Sequence, residues 1–206
     1  MNKQQKLEEL KKKMASDKTL PLKMGAKNLV FGGGSPDAKV LCVGEGPGYW
    51  EDIKGRPFVG NAGAFLNQLL AQAGYKREEV FITNVVHYRP PENRDPEPDE
   101  IKAFESYLDE MINIIEPGVI VTLGRFSMGK FLPNARITQI HGKKFEISWK
   151  GKNLMVVPMY HPAAGLRSTQ VKEQTMQDFK KLPEILQEAV NEKEESKDKS
   201  EQMILI

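Results

Sequence analysis

Glu45, Asn84 and His161 are the polar side chains in this sequence best suited to chemistry, because each stands just past a short apolar run. Glu45 lies in Gly44-Glu45-Gly46-Pro47-Gly48 after Val40 to Val43; Asn84 follows Val80 to Thr83; His161 comes just after Leu154 to Pro158. A carboxylate holds or accepts a proton, and a carboxamide pairs with a donor and an acceptor at once. An imidazole donates a hydrogen bond whether neutral or protonated. The glycines around Glu45 allow backbone approaches that a side chain would forbid, and Pro47 stiffens the loop between them. Such a loop is poorly suited to a core and well suited to placing Glu45 in a cleft.

The elements that must position these groups alternate. Val40–Val43, Val80–Thr83, Val119–Leu123 and Leu154–Pro158 are consecutive apolar runs rich in Val and Ile, the pattern of parallel strands buried on both faces. Helices are expected at 3–14 (Leu7, Leu10, Met14), at Ala62–Ala73 closing on Gly74, at Pro98–Ile115 and at Arg125–Leu132. A last helix is expected over 172–190, with Pro183 breaking it. Asn28–Phe31 reads as a short edge strand, and Lys150-Gly151 as the turn of a hairpin leading into the fourth strand. The expected fold is α/β, a three-layer α/β/α sandwich around a central four-stranded parallel sheet with right-handed crossovers. Ligands bind such sheets beyond the carboxyl ends of the strands. Glu45, Asn84, Gly124 and His161 all fall there, so one cleft is expected.

At 206 residues, the chain reads as one domain over 1–190, its N-terminal helix within 1–15, followed by a charged tail over 191–206. Hydrophobic content of 39% and charged content of 28% fit a globular protein without a membrane span, and a cytoplasmic location is expected. A net charge of +2 is too small to argue by itself for nucleic acid. The single cysteine, Cys42, excludes an internal disulfide and a cysteine-rich metal site, and its place in an apolar run reads as core. Gln202 to Leu205 has the start of a sliding-clamp-binding peptide without its aromatic pair.

Taken together, Gly44-Glu45-Gly46-Pro47-Gly48, Glu51-Asp52, Gly55-Arg56-Pro57-Phe58-Val59-Gly60, Thr83-Asn84, Arg89-Pro90-Pro91-Glu92-Asn93-Arg94 and His161-Pro162-Ala163 resemble the family 4 uracil-DNA glycosylases. The resemblance runs from about Val30 to about Leu166, in order. A glycine-rich dinucleotide loop fits Gly44–Gly48 less well, since its third glycine is missing. The resemblance implies hydrolysis of the bond between uracil N1 and deoxyribose C1′ after base flipping. It gives Phe58 the stacking role, Asn84 the uracil edge and His161 the uracil O2 side, with Gly46 beside the base. Glu45 is implied as the residue that orients water, and Glu51 as a group near uracil C5. Core packing for Phe58, strand capping for Asn84 and turn capping for Glu51 and Asp52 stay open as alternatives. Arg89, Asn93, Arg94, Leu166 and Arg167 are implied as DNA contacts, with Leu166 as an apolar wedge. His87 and His141 read as loop or surface histidines.

One departure is large. The family holds a four-iron four-sulfur cluster on four cysteines, and the corresponding positions here are Asp17, Leu20, Tyr88 and Phe104. An iron-free variant is expected, with Leu20, Tyr88 and Phe104 filling the space and neither metal nor organic cofactor required. The implied partner is uracil-containing DNA, with the protein acting as a monomer. Two other readings remain: a uracil-DNA-binding protein that has lost turnover, and a glycosylase for hypoxanthine or xanthine.

Overall fold

The structure is a computed structural model, describing residues 1–189 and Asn191. Its sheet is built from β1 (Gly33–Gly34), β2 (Val40–Gly44), β3 (Phe81–Asn84), β4 (Val119–Leu123), β5 (Phe145–Trp149) and β6 (Lys152–Met159), in the order β1-β3-β2-β4-β6-β5. The four strands expected from sequence form the parallel centre, β3-β2-β4-β6. Antiparallel β1 and β5 complete the edges, so the sheet is six-stranded and mixed. The helices are α1 (Lys3–Ser16), α2 (Tyr49–Lys54), α3 (Asn61–Gln72), α4 (Pro98–Ile115), α5 (Arg125–Phe131), α6 (Ile137–Ile140), α7 (Pro162–Gly165) and α8 (Thr169–Lys180), with a further helical stretch over 182–189.

Strand alternation divides the core into two layers. Leu41 and Val43 of β2 face Leu7, Leu10 and Met14 of α1 and Phe104, Leu108 and Met111 of α4. Val40 and Cys42 face the other way, onto Phe65, Leu66, Leu69 and Leu70 of α3 and Phe179 of α8. Burial of each such large apolar side chain contributes about 1.5–3 kcal/mol. The register then sets the site. Gly44 pairs with Asn84 and Leu123 with Met159, so β2, β3, β4 and β6 all end on the same side, at the carboxyl ends of the parallel strands.

The expected edge strand is corrected. The edge strand is Gly33–Gly34, not Asn28–Phe31: Val30 and Phe31 are buried, and the Val30 N–H reaches the His87 carbonyl outside any ladder. The last helix is broken at Pro183 as expected, ending at Lys180 and restarting at 182, because Pro183 cannot continue α8 and suits the first turn of a new helix. The Lys150-Gly151 turn is present, both residues having positive φ, 48° and 79°. Apart from Asn191, the expected tail and its clamp-binding peptide lie outside the described residues. Among the described residues, no helix is long and apolar enough to cross a membrane.

Candidate active site

The strand ends open into a cleft of about 620 Å³ lined by Glu45, Gly46, Glu51, Phe58, Asn84 and His161, among others. Asn84 is 1% exposed, and its Oδ1 makes no hydrogen bond. A Cβ on Gly44 would collide with that oxygen and would stand 2.7 Å from the Phe58 ring. Glycine at position 44 therefore lets the Phe58 face and the Asn84 amide converge.

His161 caps the N-terminus of α7, with its Nδ1 accepting from the Ala163 N–H at 3.2 Å. A neutral imidazole that accepts at Nδ1 carries its proton on Nε2. Burial, then the Arg167 charge, hold its pKa down to about 4, so the ring is neutral at pH 7. The Phe58 ring lies beside it, centroids 5.6 Å apart and planes at 31°.

Glu45 folds against the start of α5, and its Oε1 accepts from the Phe126 N–H at 3.0 Å. Gly124 (φ 112°) leaves the space, since a Cβ there would overlap the carboxylate. Burial pushes the Glu45 pKa up, and the Phe126 hydrogen bond opposes it only in part. A brace crosses nearby from Arg125 to Asp95, at 2.5 Å.

Phe58 is 7% exposed and has φ 51°, a left-handed conformation uncommon outside glycine. Two charged groups hold it there. Glu51 Oε1 accepts from the Val59 and Gly60 N–H groups at 2.8 and 2.9 Å. Arg77 donates to the Phe58 carbonyl at 3.0 Å, to the Pro57 carbonyl, and to Asn67 Oδ1 at 2.9 Å. Glu51 thus lines the cleft, but one carboxylate oxygen is committed to the turn that carries Phe58. Asp52 is buried and accepts from the Lys27 and Asn28 N–H groups at 2.8 and 3.1 Å, tying α2 to that segment.

The expected DNA contacts divide. Asn93 and Arg167 line the cleft, and Leu166 stands exposed beside Arg167. Arg89 lies over the Tyr49 ring and donates to Asn93 Oδ1 at 2.7 Å. Arg94 also lines the cleft, but its guanidinium pairs with both Glu100 oxygens, at 2.9 and 2.6 Å. That pair braces the loop onto α4, while the Arg94 side chain stays 37% exposed at the cleft. The other two histidines lie in irregular segments, as the loop reading expected, but neither is a surface residue. His87 is fully buried, with Nδ1 on the Val30 carbonyl at 3.1 Å and Nε2 unpartnered. His141 is half-buried, with Nδ1 on Asp178 at 2.6 Å and its ring 4.5 Å from that of Tyr160.

Arg77 and Tyr160 escaped the sequence reading. Arg77 sits in a three-residue turn, 77–79, whose lysine and acid neighbours read as a solvated surface; its one signal is its place just before β3.

The model of the uracil DNA glycosylase superfamily matches residues 31–187. The chain belongs to that superfamily. Among relatives, the Type-4 uracil-DNA glycosylase of Sulfurisphaera tokodaii is 46% identical over 185 residues, 87% of this chain and 84% of the relative. That of Archaeoglobus fulgidus is 41% identical over 185 residues, covering 87% and 92%, and that of Thermotoga maritima 41% over 170 residues, covering 81% and 87%.

The iron–sulfur cluster implied by the family 4 resemblance does not fit the residues in its place. Leu20, Tyr88 and Phe104 are buried in one apolar cluster, and Asp17 accepts from the Tyr107 hydroxyl at 2.7 Å. Cys42 lies elsewhere, buried in β2. Among the described residues, no group of His, Cys, Asp or Glu is arranged to hold a metal ion.

Proposed function

We infer that this chain is a uracil-DNA glycosylase that flips deoxyuridine into the cleft and hydrolyses its N-glycosidic bond, opening base-excision repair. The observation that carries this reading is the unpartnered, buried Asn84 Oδ1. A buried acceptor without a partner costs about 1–3 kcal/mol, which a ligand donor recovers. Uracil offers N3–H to that oxygen and O4 to the amide Nδ2. Cytosine presents the reverse pattern and leaves both groups opposed.

In this reading Phe58 stacks on the flipped base. As the N1–C1′ bond breaks, its electron pair passes to uracil and charge builds on O2. His161 Nε2–H donates to that oxygen; a preorganised neutral donor needs no proton transfer to do so. Glu45 uses the oxygen not held by Phe126 to orient a water toward C1′ and to take its proton. Glu51 and Arg77 hold the Phe58 turn. Asn93, Leu166 and Arg167 meet the DNA at the cleft rim. The protein works as a monomer and requires neither metal nor organic cofactor.

The test is alkaline strand cleavage of an end-labelled oligonucleotide carrying one uracil. Wild type is expected to cut it, with Asn84→Ala and His161→Ala each about 100–1000-fold slower, the usual cost of removing one preorganised group. An uncut strand that wild type nevertheless retards in a gel would replace this reading with that of a binding protein.

A further inference from the structure

The rim of the cleft carries an exposed aromatic pair that no step above uses. Tyr49 and Trp50 open α2 directly after Gly48, which lines the cleft. They are 48% and 54% exposed, with ring centroids 5.2 Å apart and planes at 79°. Packing does not account for them, since the buried residue of α2 is Asp52. The other exposed large hydrophobic residues among those described are Met1, Met24 and Leu166, none of them aromatic.

Cations frame the pair. Arg89 Cζ lies 5.2 Å from the Tyr49 ring centroid, and Lys54 Nζ lies 5.9 Å from that of Trp50. Lys54, Trp50, Tyr49 and Arg89 contact one another in turn, and the row meets the cleft through Asn93, which Arg89 holds, and through Gly48 and Glu51 on either side of the pair. Exposed aromatic faces between positive charges suit a nucleic-acid strand, whose bases stack while its phosphates meet the cations. In a duplex those base faces are already covered by their neighbours.

We propose that Tyr49 and Trp50, framed by Lys54 and Arg89, form a stacking platform for an unpaired base next to the flipped uridine, so that the protein favours single-stranded DNA. This deepens the glycosylase reading and rests on it for the position of the strand.

Fluorescence anisotropy with a labelled, uracil-free oligodeoxythymidine and with a duplex of equal length tests the platform apart from the chemistry. Trp50→Ala and Tyr49→Ala are each expected to bind the single strand about tenfold more weakly, with the duplex affinity changed much less. Trp50→Phe, which keeps an aromatic face, recovers most of the loss. Trp149→Phe supplies a readout free of any change at the platform. Trp149 is buried and the chain has two tryptophans, so this variant reports Trp50 alone. Its emission is expected to be quenched by the single strand and not by the duplex. Unaltered affinity in both alanine variants, equal losses on both DNAs, or unchanged Trp50 emission would each overturn the platform. Uracil release by wild type is scored in parallel. If it fails, the enzymatic reading falls while anisotropy and emission still decide the platform.

Discussion

In the proposed reading Asn84 recognises uracil and His161 meets its developing charge, and the electrostatics of His161 and Glu45 lead to a pH prediction. His161 has its pKa lowered to about 4 by burial and by Arg167, so it is already neutral throughout the range where an ordinary histidine would titrate. Glu45 has its pKa raised by burial, and a base must be deprotonated to take a proton. The acid limb of kcat/KM against pH therefore belongs to Glu45, with activity rising as pH increases through a value above the ordinary glutamate range. Glu45→Gln is expected to remove that limb and slow turnover by about 100-fold or more, the usual contribution of a general base. His161→Gln, which keeps an N–H donor, is expected to leave the limb in place. A limb near 6.5 that disappears with the imidazole would show that His161 acts as a titrating group instead.

Among the elements, the turn Pro57–Gly60 is gripped from two sides, by Glu51 at its N–H groups and Arg77 at its carbonyls. The grip holds Phe58 in a left-handed conformation that costs about 1–2 kcal/mol for a residue with a side chain. Arg77→Ala is expected to raise KM for the uracil strand about tenfold and to destabilise the fold by about 1–3 kcal/mol, the cost of leaving the carbonyls unpaired. Arg77→Lys, with one point charge in place of a planar fork, recovers part of the stability but less of the KM. Stability lost with KM unchanged would make Arg77 structural only. The same elements show what was legible beforehand. The 98–115 helix matches its expected bounds because eighteen residues display several turns of apolar period. α2, α6 and α7 were missed because four to six residues display at most one or two. The four parallel strands were readable as apolar runs, whereas β1 consists of two glycines and carries no such signal. Glu45, Asn84 and His161 were legible as strand-end residues. The pairing of Arg94 with Glu100 was not legible, because sequence gives no sign that these two residues, six apart, meet.

Across the whole molecule, the region where the family 4 resemblance implies a metal cluster is packed instead with aromatic rings around a histidine. His87 lies 5.5 Å edge-on from Phe104 and 6.3 Å from Phe31, and Phe104 meets Tyr88 at 6.1 Å. A second proton on the imidazole finds no acceptor, because Nδ1 already faces the Val30 carbonyl and Nε2 has no hydrogen-bond partner. Burial accordingly lowers the His87 pKa from 6.5 to about 4. The unfolded chain then binds a proton that the folded chain refuses. This part of the stability is complete above pH 6.5 and is lost as pH falls toward 4. The full shift corresponds to about 3 kcal/mol, of which about 2 kcal/mol is lost between pH 7 and pH 5. For a chain of this size that lowers Tm by about 4–8 °C. His87→Phe suits the aromatic surroundings and does not titrate. Whatever its absolute stability, the drop in its Tm from pH 7 to pH 5 is expected to be smaller than that of wild type by about this amount. Thermal melts of the two proteins at both pH values measure it. Parallel slopes would mean that His87 is solvated in the native state and that this packed region opens to water.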